Sequence, residues 1–122
     1  AATMKKILII EDVAMNRDLL VQLLEDEYEL VEAADGREGL ELAARERPDL
    51  VLLDITLPEL DGWEVARRIR ADADLAQTPI VACTAHAMSG DEEKAYAAGC
   101  NGYLAKPIDE DELWRLIASL LG

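Results

Sequence analysis

The stretch DLVLLDITLPELDG, residues 49 to 62, ends a run of aliphatic side chains on a carboxylate, Asp54, and then turns through Pro58. A charged acid beside Leu52, Leu53 and Ile55 is costly to desolvate unless something pairs with it or uses it. A short run that is apolar at nearly every position reads as a strand buried on both faces, the kind found inside a parallel sheet. The 3.6-period segment GWEVARRIR follows it.

Working outward, the same alternation recurs. ILII (Ile7 to Ile10) precedes a segment carrying Leu19, Leu20, Leu23 and Leu24, and YELVEAA (Tyr28 to Ala34) leads into DGREGLELAARE. There Asp35 and Glu38 have the spacing of a capping box. PIVACTA (Pro79 to Ala85) precedes Ser89 to Ala98, with Ser89 and Glu92 repeating that spacing and Gly99 suited to a C-terminal cap. GYLAK (Gly102 to Lys106) precedes Asp109 to Leu121, whose positions Leu113, Leu116, Ile117, Leu120 and Leu121 form one helical stripe. Five βα units predict a doubly wound α/β fold with a five-stranded parallel sheet covered on both faces. Strands 1, 3 and 4 are the most apolar and belong in the centre, while the more polar strand 2 suits an edge.

With 122 residues, the chain predicts one domain over residues 4–122, and Ala1 to Thr3, ahead of Met4, read as an appended remnant. An apolar share of 51% is ordinary for a globular protein. The net charge of −14 argues against nucleic acid and anionic membrane surfaces as partners and favours cations or basic protein patches. No apolar run is long enough to span a bilayer. Cys83 and Cys100 lack metal-ligand spacing and predict reduced, buried thiols of a cytoplasmic protein.

Ligands of open α/β folds bind at the C-terminal edge of the sheet. There strand 1 ends in Glu11 and Asp12, strand 3 in Asp54, strand 4 in Thr84 and strand 5 in Lys106. Three carboxylates about 5 Å apart repel by roughly 3 kcal/mol per pair at an effective dielectric near 20, which a cation would relieve. Oxygen ligands without Cys or His point to Mg2+, which commonly shares its site with a phosphate. Thr84 and Lys106 would supply a hydrogen bond and a positive charge to that phosphate, and Asp54 the nucleophile of a phosphoryl transfer.

Taken together, the ED pair after strand 1, DITLPELDGWE around Asp54, TAHAM at Thr84 and GYLAKP at Lys106 resemble the receiver domain of bacterial response regulators. The resemblance runs from Lys5 to Leu121, with separations of 42 (Asp12 to Asp54), 30 (Asp54 to Thr84) and 22 (Thr84 to Lys106). It implies the flavodoxin-like strand order 2-1-3-4-5. It implies that Asp54 accepts a phosphoryl group from a phosphohistidine on a sensor histidine kinase or a histidine phosphotransfer protein. Glu11, Asp12, Asp54 and the carbonyl of Thr56 would surround Mg2+, with Thr84 and Lys106 on the phosphoryl oxygens. Tyr103 would be the aromatic that moves with Thr84, and the Lys106–Pro107 bond would be cis. Met15, Asn16, Leu19, Pro107 and Ile108 would form the face that meets the kinase, and His86 and Thr56 would occupy the two positions that tune the phosphate's hydrolytic lifetime. Strand 1 ends Glu-Asp rather than the commoner Asp-Asp, and the extra methylene implies a metal held partly through water. EDVAMNR resembles receivers of phosphorelays and hybrid kinases.

Three rivals share parts of this pattern. A flavodoxin-like nucleotide binder cradles phosphate in a Ser/Thr/Gly-rich loop after strand 1, where this chain has acids. A haloacid-dehalogenase-type phosphatase needs a second acid two residues after its nucleophile, where this chain has Thr56. A pseudo-receiver that binds proteins without phosphorylation is the remaining alternative. The expected protein is therefore a signalling module rather than an enzyme with its own substrate. It catalyses only its own phosphorylation and dephosphorylation and acts through contacts with a downstream protein. Trp114, at the margin of the last helix stripe, reads as edge-of-core packing.

Overall fold

A computed structural model describes residues 4–55, 61–85 and 91–121. Its elements run β1 (Lys6–Ile10), α1 (Ala14–Leu24), β2 (Glu29–Ala33), α2 (Gly36–Glu46), β3 (Leu50–Asp54), α3 (Gly62–Ala71), a 3-10 turn (Ala73–Leu75), β4 (Ile80–Thr84), α4 (Asp91–Ala97), β5 (Gly102–Ala105) and α5 (Glu110–Leu121). All neighbouring strands are parallel, in the order β2-β1-β3-β4-β5. The apolar strands β1, β3 and β4 occupy the centre and β2 an edge, as their composition requires.

Strand alternation sends successive side chains to opposite faces, and two cores result. Leu8, Ile10, Val51, Leu53 and Ala82 pack with Ala43 of α2, Val65, Ala66 and Ile69 of α3 and Ala95 of α4. Ile7, Ile9, Leu52, Val81 and Leu104 pack with Leu20 and Leu24 of α1 and Leu113 and Ile117 of α5. The predicted buried stripe of α5 is thus observed at Leu113 and Ile117, while Leu116, Leu120 and Leu121 are half-buried at its border. Trp114 stacks on Tyr28 with ring centroids 5.9 Å apart, the packing role read from its position.

Local signals set the helix ends. Asp35 accepts from the Glu38 amide at 2.8 Å, and the Glu38 carboxylate returns to the Ala34 amide at 2.7 Å, one residue earlier than a standard capping box. Asp61 and Asp109 cap α3 and α5 in the same way, accepting from Glu64 and Glu112. Gly99 adopts φ +102 after α4, the left-handed conformation that ends helices and favours glycine. Ser89, proposed as the start of the fourth helix, lies outside the described residues. Helix α1 differs: its first turn has neither a capping side chain nor an acid.

Candidate phosphoryl-acceptor site

Parallel pairing brings the strand ends to one edge, with Ile10 beside both Ala33 and Leu53, Asp54 beside Cys83, and Thr84 beside Ala105. Glu11, Asp54 and Thr84 are the buried polar or charged side chains among the described residues, at 2%, 3% and 2% exposure. All three stand at this edge. Burying polar groups costs free energy unless they are engaged, so their concentration in one place marks a site and not a packing accident.

One carboxylate oxygen from each of Glu11, Asp12 and Asp54 lies within 4.8 Å of the other two. The Lys106 ammonium enters from the end of β5, 2.5 Å from Glu11 Oε1 and 3.4 Å from Asp54 Oδ2. The longer arm of Glu11 thus pairs with Lys106, a partner the sequence alone did not disclose. The Val13 amide donates to Glu11 Oε2 at 3.2 Å, so both carboxylate oxygens are held.

One ammonium does not balance three acids. Burial pushes the Glu11 carboxyl up to about 7, helped by its hydrogen bond and charge contact with Asp54 and opposed by Lys106 and the Val13 amide. Burial by itself would lower the Lys106 ammonium, but the Glu11 hydrogen bond and the charges of Asp54 and Glu11 carry it above an ordinary lysine. Crowded negative charge contributes to both shifts, added to burial at Glu11 and overcoming burial at Lys106. The donor set is all oxygen, two of its three acids are buried, and its charge is unbalanced, so these residues fit a hard divalent cation.

Thr84 and Tyr103 project from the same sheet face by strand parity, since Ala82 pairs with Tyr103 and Thr84 with Ala105. Tyr103 is half-buried against the core beneath α3 and α4. The Lys106 amide donates to the Thr84 carbonyl at 2.7 Å, which ties the ends of β4 and β5 together. The Lys106–Pro107 bond is cis. Gly62, at the start of α3, presses on the peptide after the acceptor. A Cβ there would lie 2.5 Å from Ile55 Cα and 2.8 Å from the Asp54 carbonyl oxygen.

Asn16, Leu19, Leu20, Leu23, Pro107 and Ile108 line one groove of about 120 Å³ together with Glu11 and Lys106. Met15 lies outside that groove, in a shallower depression with Asn16 and Leu19, and is 79% exposed. Thr56 and His86 lie outside the described residues. Arg17 was not singled out from sequence. Its guanidinium donates to the Glu11 carbonyl at 2.8 Å and pairs with Glu32 at 3.4 Å.

The model of the response regulator receiver domain matches residues 7–118. The chain belongs to this family. Among curated relatives, the polar-differentiation response regulator DivK of Brucella anthropi is 42% identical over 119 residues, covering 97% of each chain, and that of Brucella ovis is 41% identical over the same span. Among solved structures, the receiver domain of sensor histidine kinase PA1611 of Pseudomonas aeruginosa is similar at TM-score 0.90 and 38% identity, covering 98% of this chain and 99% of that one. That structure has a magnesium ion coordinated in its active site cleft. Chemotaxis protein CheY4 of Vibrio cholerae is similar at TM-score 0.92 and 30% identity, covering 98% of this chain and all of that one. As a receiver domain, the chain is a component of two-component signalling. No helix among its described residues is long and apolar enough to cross a membrane.

Proposed function

We propose that the chain is a phosphorylation-controlled interaction module of a cytoplasmic phosphorelay or two-component system, in which Asp54 accepts a phosphoryl group. The supporting observation is the buried carboxylate of Asp54 with Glu11 and Asp12 within 4.8 Å and the Lys106 ammonium at 3.4 Å. Asp54 would attack phosphorus as the N–P bond of a phosphohistidine breaks, so one O–P bond forms and the imidazole leaves with the electron pair. Glu11, Asp12, Asp54 and the Thr56 carbonyl would hold Mg2+, which when bound neutralises charge on the transferring group.

Lys106 would then be drawn from Glu11 toward the new phosphoryl oxygens, and Thr84 would hydrogen-bond them. Tyr103, on the same face as Thr84, would report that change to the surface around β5 and its flanking helices α4 and α5. The groove of Asn16, Leu19, Pro107 and Ile108, with Met15 beside it, would receive the helical surface of a histidine kinase or phosphotransfer protein. Its position next to Lys106 would bring a phosphohistidine to Asp54. The chemistry serves the chain's own phosphorylation and dephosphorylation and turns over no separate substrate.

Incubation with acetyl phosphate and MgCl2, read by intact mass, tests this. A gain of one phosphoryl group, about 80 Da, that requires both Mg2+ and Asp54 supports the proposal. No gain from acetyl phosphate or from a phosphohistidine donor would favour a receiver that binds proteins without phosphorylation.

A further inference from the structure

Resting on the phosphoryl-acceptor reading above, we propose that Arg17 is a positioning residue that holds the β1–α1 loop in the geometry in which Glu11 and Asp12 share a cation with Asp54. The loop must turn sharply between Ile10 and Ala14 and present two acids to the sheet edge. Helices α2 and α3 begin on capping aspartates, but α1 begins at Val13 with no side-chain cap. The job of fixing this helix start falls to other groups.

Arg17 does it with its side chain, beside the backbone bond that any residue here but proline would make. Its backbone amide donates to the Val13 carbonyl at 3.0 Å, closing the first turn of α1. One guanidinium nitrogen donates to the Glu11 carbonyl at 2.8 Å, and another pairs with Glu32 of β2 at 3.4 Å. The Glu11 amide meanwhile donates to the Ala33 carbonyl at 3.0 Å. The Glu11 backbone is thus held on both sides, toward β2 by its N–H and toward α1 by its C=O, so its carboxylate enters the site from a fixed backbone. The Arg17 side chain is 20% exposed, sheltered enough for these bonds to hold. A planar fork can serve a carbonyl and a carboxylate at once; an ammonium on a flexible stem lacks that geometry.

Position and charge make opposite predictions for metal binding. If Arg17 acted only as a positive charge near the acids, removing it would tighten Mg2+ binding, and lysine would replace it without effect. If it positions the loop, both changes weaken binding, because the acids lose their shared geometry. Loss of an outer partner of a metal ligand costs about 10- to 100-fold in affinity, and a partner acting through the backbone belongs at the low end.

The experiment is calorimetric titration of the metal-free chain with MgCl2, well below each variant's melting temperature. Arg17→Lys and Arg17→Met should each weaken Mg2+ by about tenfold. Wild-type affinity in Arg17→Lys, or tighter binding in Arg17→Met, overturns the proposal. Should both variants fail to fold, Glu32→Asp decides, since it keeps the charge on the exposed edge strand but shortens the arm that anchors Arg17. A smaller loss of the same sign supports the proposal, and wild-type affinity overturns it. Absence of saturable Mg2+ binding by the wild type would instead sink the phosphoryl-acceptor reading, and this inference with it.

Discussion

Replacing Asp54 by Asn should stabilise the metal-free protein, against the usual expectation for altering a buried, partnered residue. The three carboxylates offer oxygens within 4.8 Å of one another. At that distance and an effective dielectric near 20, each pair costs about 3.5 kcal/mol, so the two acidic neighbours of Asp54 cost it about 7 kcal/mol. Lys106, 3.4 Å away, returns about 5 kcal/mol at the same dielectric. The balance of about 2 kcal/mol is lifted when the charge at position 54 is removed, and asparagine keeps the shape and most of the hydrogen bonding. For a chain of this size, about 1–2 kcal/mol corresponds to a melting temperature higher by about 4–8 °C.

The assay is thermal unfolding followed by circular dichroism in EDTA, near pH 8, where Glu11 is mostly ionised and the crowding is fullest. Repeating it with saturating MgCl2 should shrink or reverse the difference, because a cation that binds only the folded wild type raises its stability by mass action. An Asp54→Asn protein that melts below wild type in EDTA would refute the crowded-acid account, as would an advantage that Mg2+ leaves untouched.

Four further outcomes follow from other features of the chain. The Glu11 carboxyl is raised from 4.5 to about 7, so between those values the folded state binds more protons than the unfolded one and stability falls as pH rises. That displacement corresponds to about 3 kcal/mol across the window. Chemical denaturation of Glu11→Gln over the same range should give a flatter profile, and an unchanged slope would remove Glu11 as its source. Glu46 and Glu64, held below the usual range by hydrogen bonds from Lys6 and from Arg68 and Arg67, stabilise above 4.5 and lose that contribution only at lower pH. Gly62→Ala forces a methyl against the backbone of Asp54 and Ile55, and should cost about 1–3 kcal/mol in urea melts and slow modification by acetyl phosphate. Cys83, whose thiol burial pushes up to about 12, and Cys100, at about 11, should resist iodoacetamide in the native state and react on unfolding.

The sequence alone determined the five βα units, the central places of β1, β3 and β4, the edge place of β2, and the convergence of Glu11, Asp12, Asp54, Thr84 and Lys106. Those features are encoded locally: strand composition reports burial, helical spacing reports the covered face, and parallel pairing sends every strand end to one edge. The cis Lys106–Pro107 bond followed from the resemblance carried by GYLAKP. What only tertiary structure decided are choices between chemically equivalent partners. Lys106 had three acids available, and the fold seats its ammonium nearest Glu11, at 2.5 Å, with Asp54 at 3.4 Å. Arg17 resembles any helix-surface arginine in the sequence. Its role exists because the packing of α1 places it across from the Glu11 carbonyl and Glu32. Gly62 likewise reads as a turn residue until α3 is seated against the Asp54 peptide. Periodicity fixes which elements form and which way they face. Distances of a few ångströms between elements far apart in the chain fix which charge meets which.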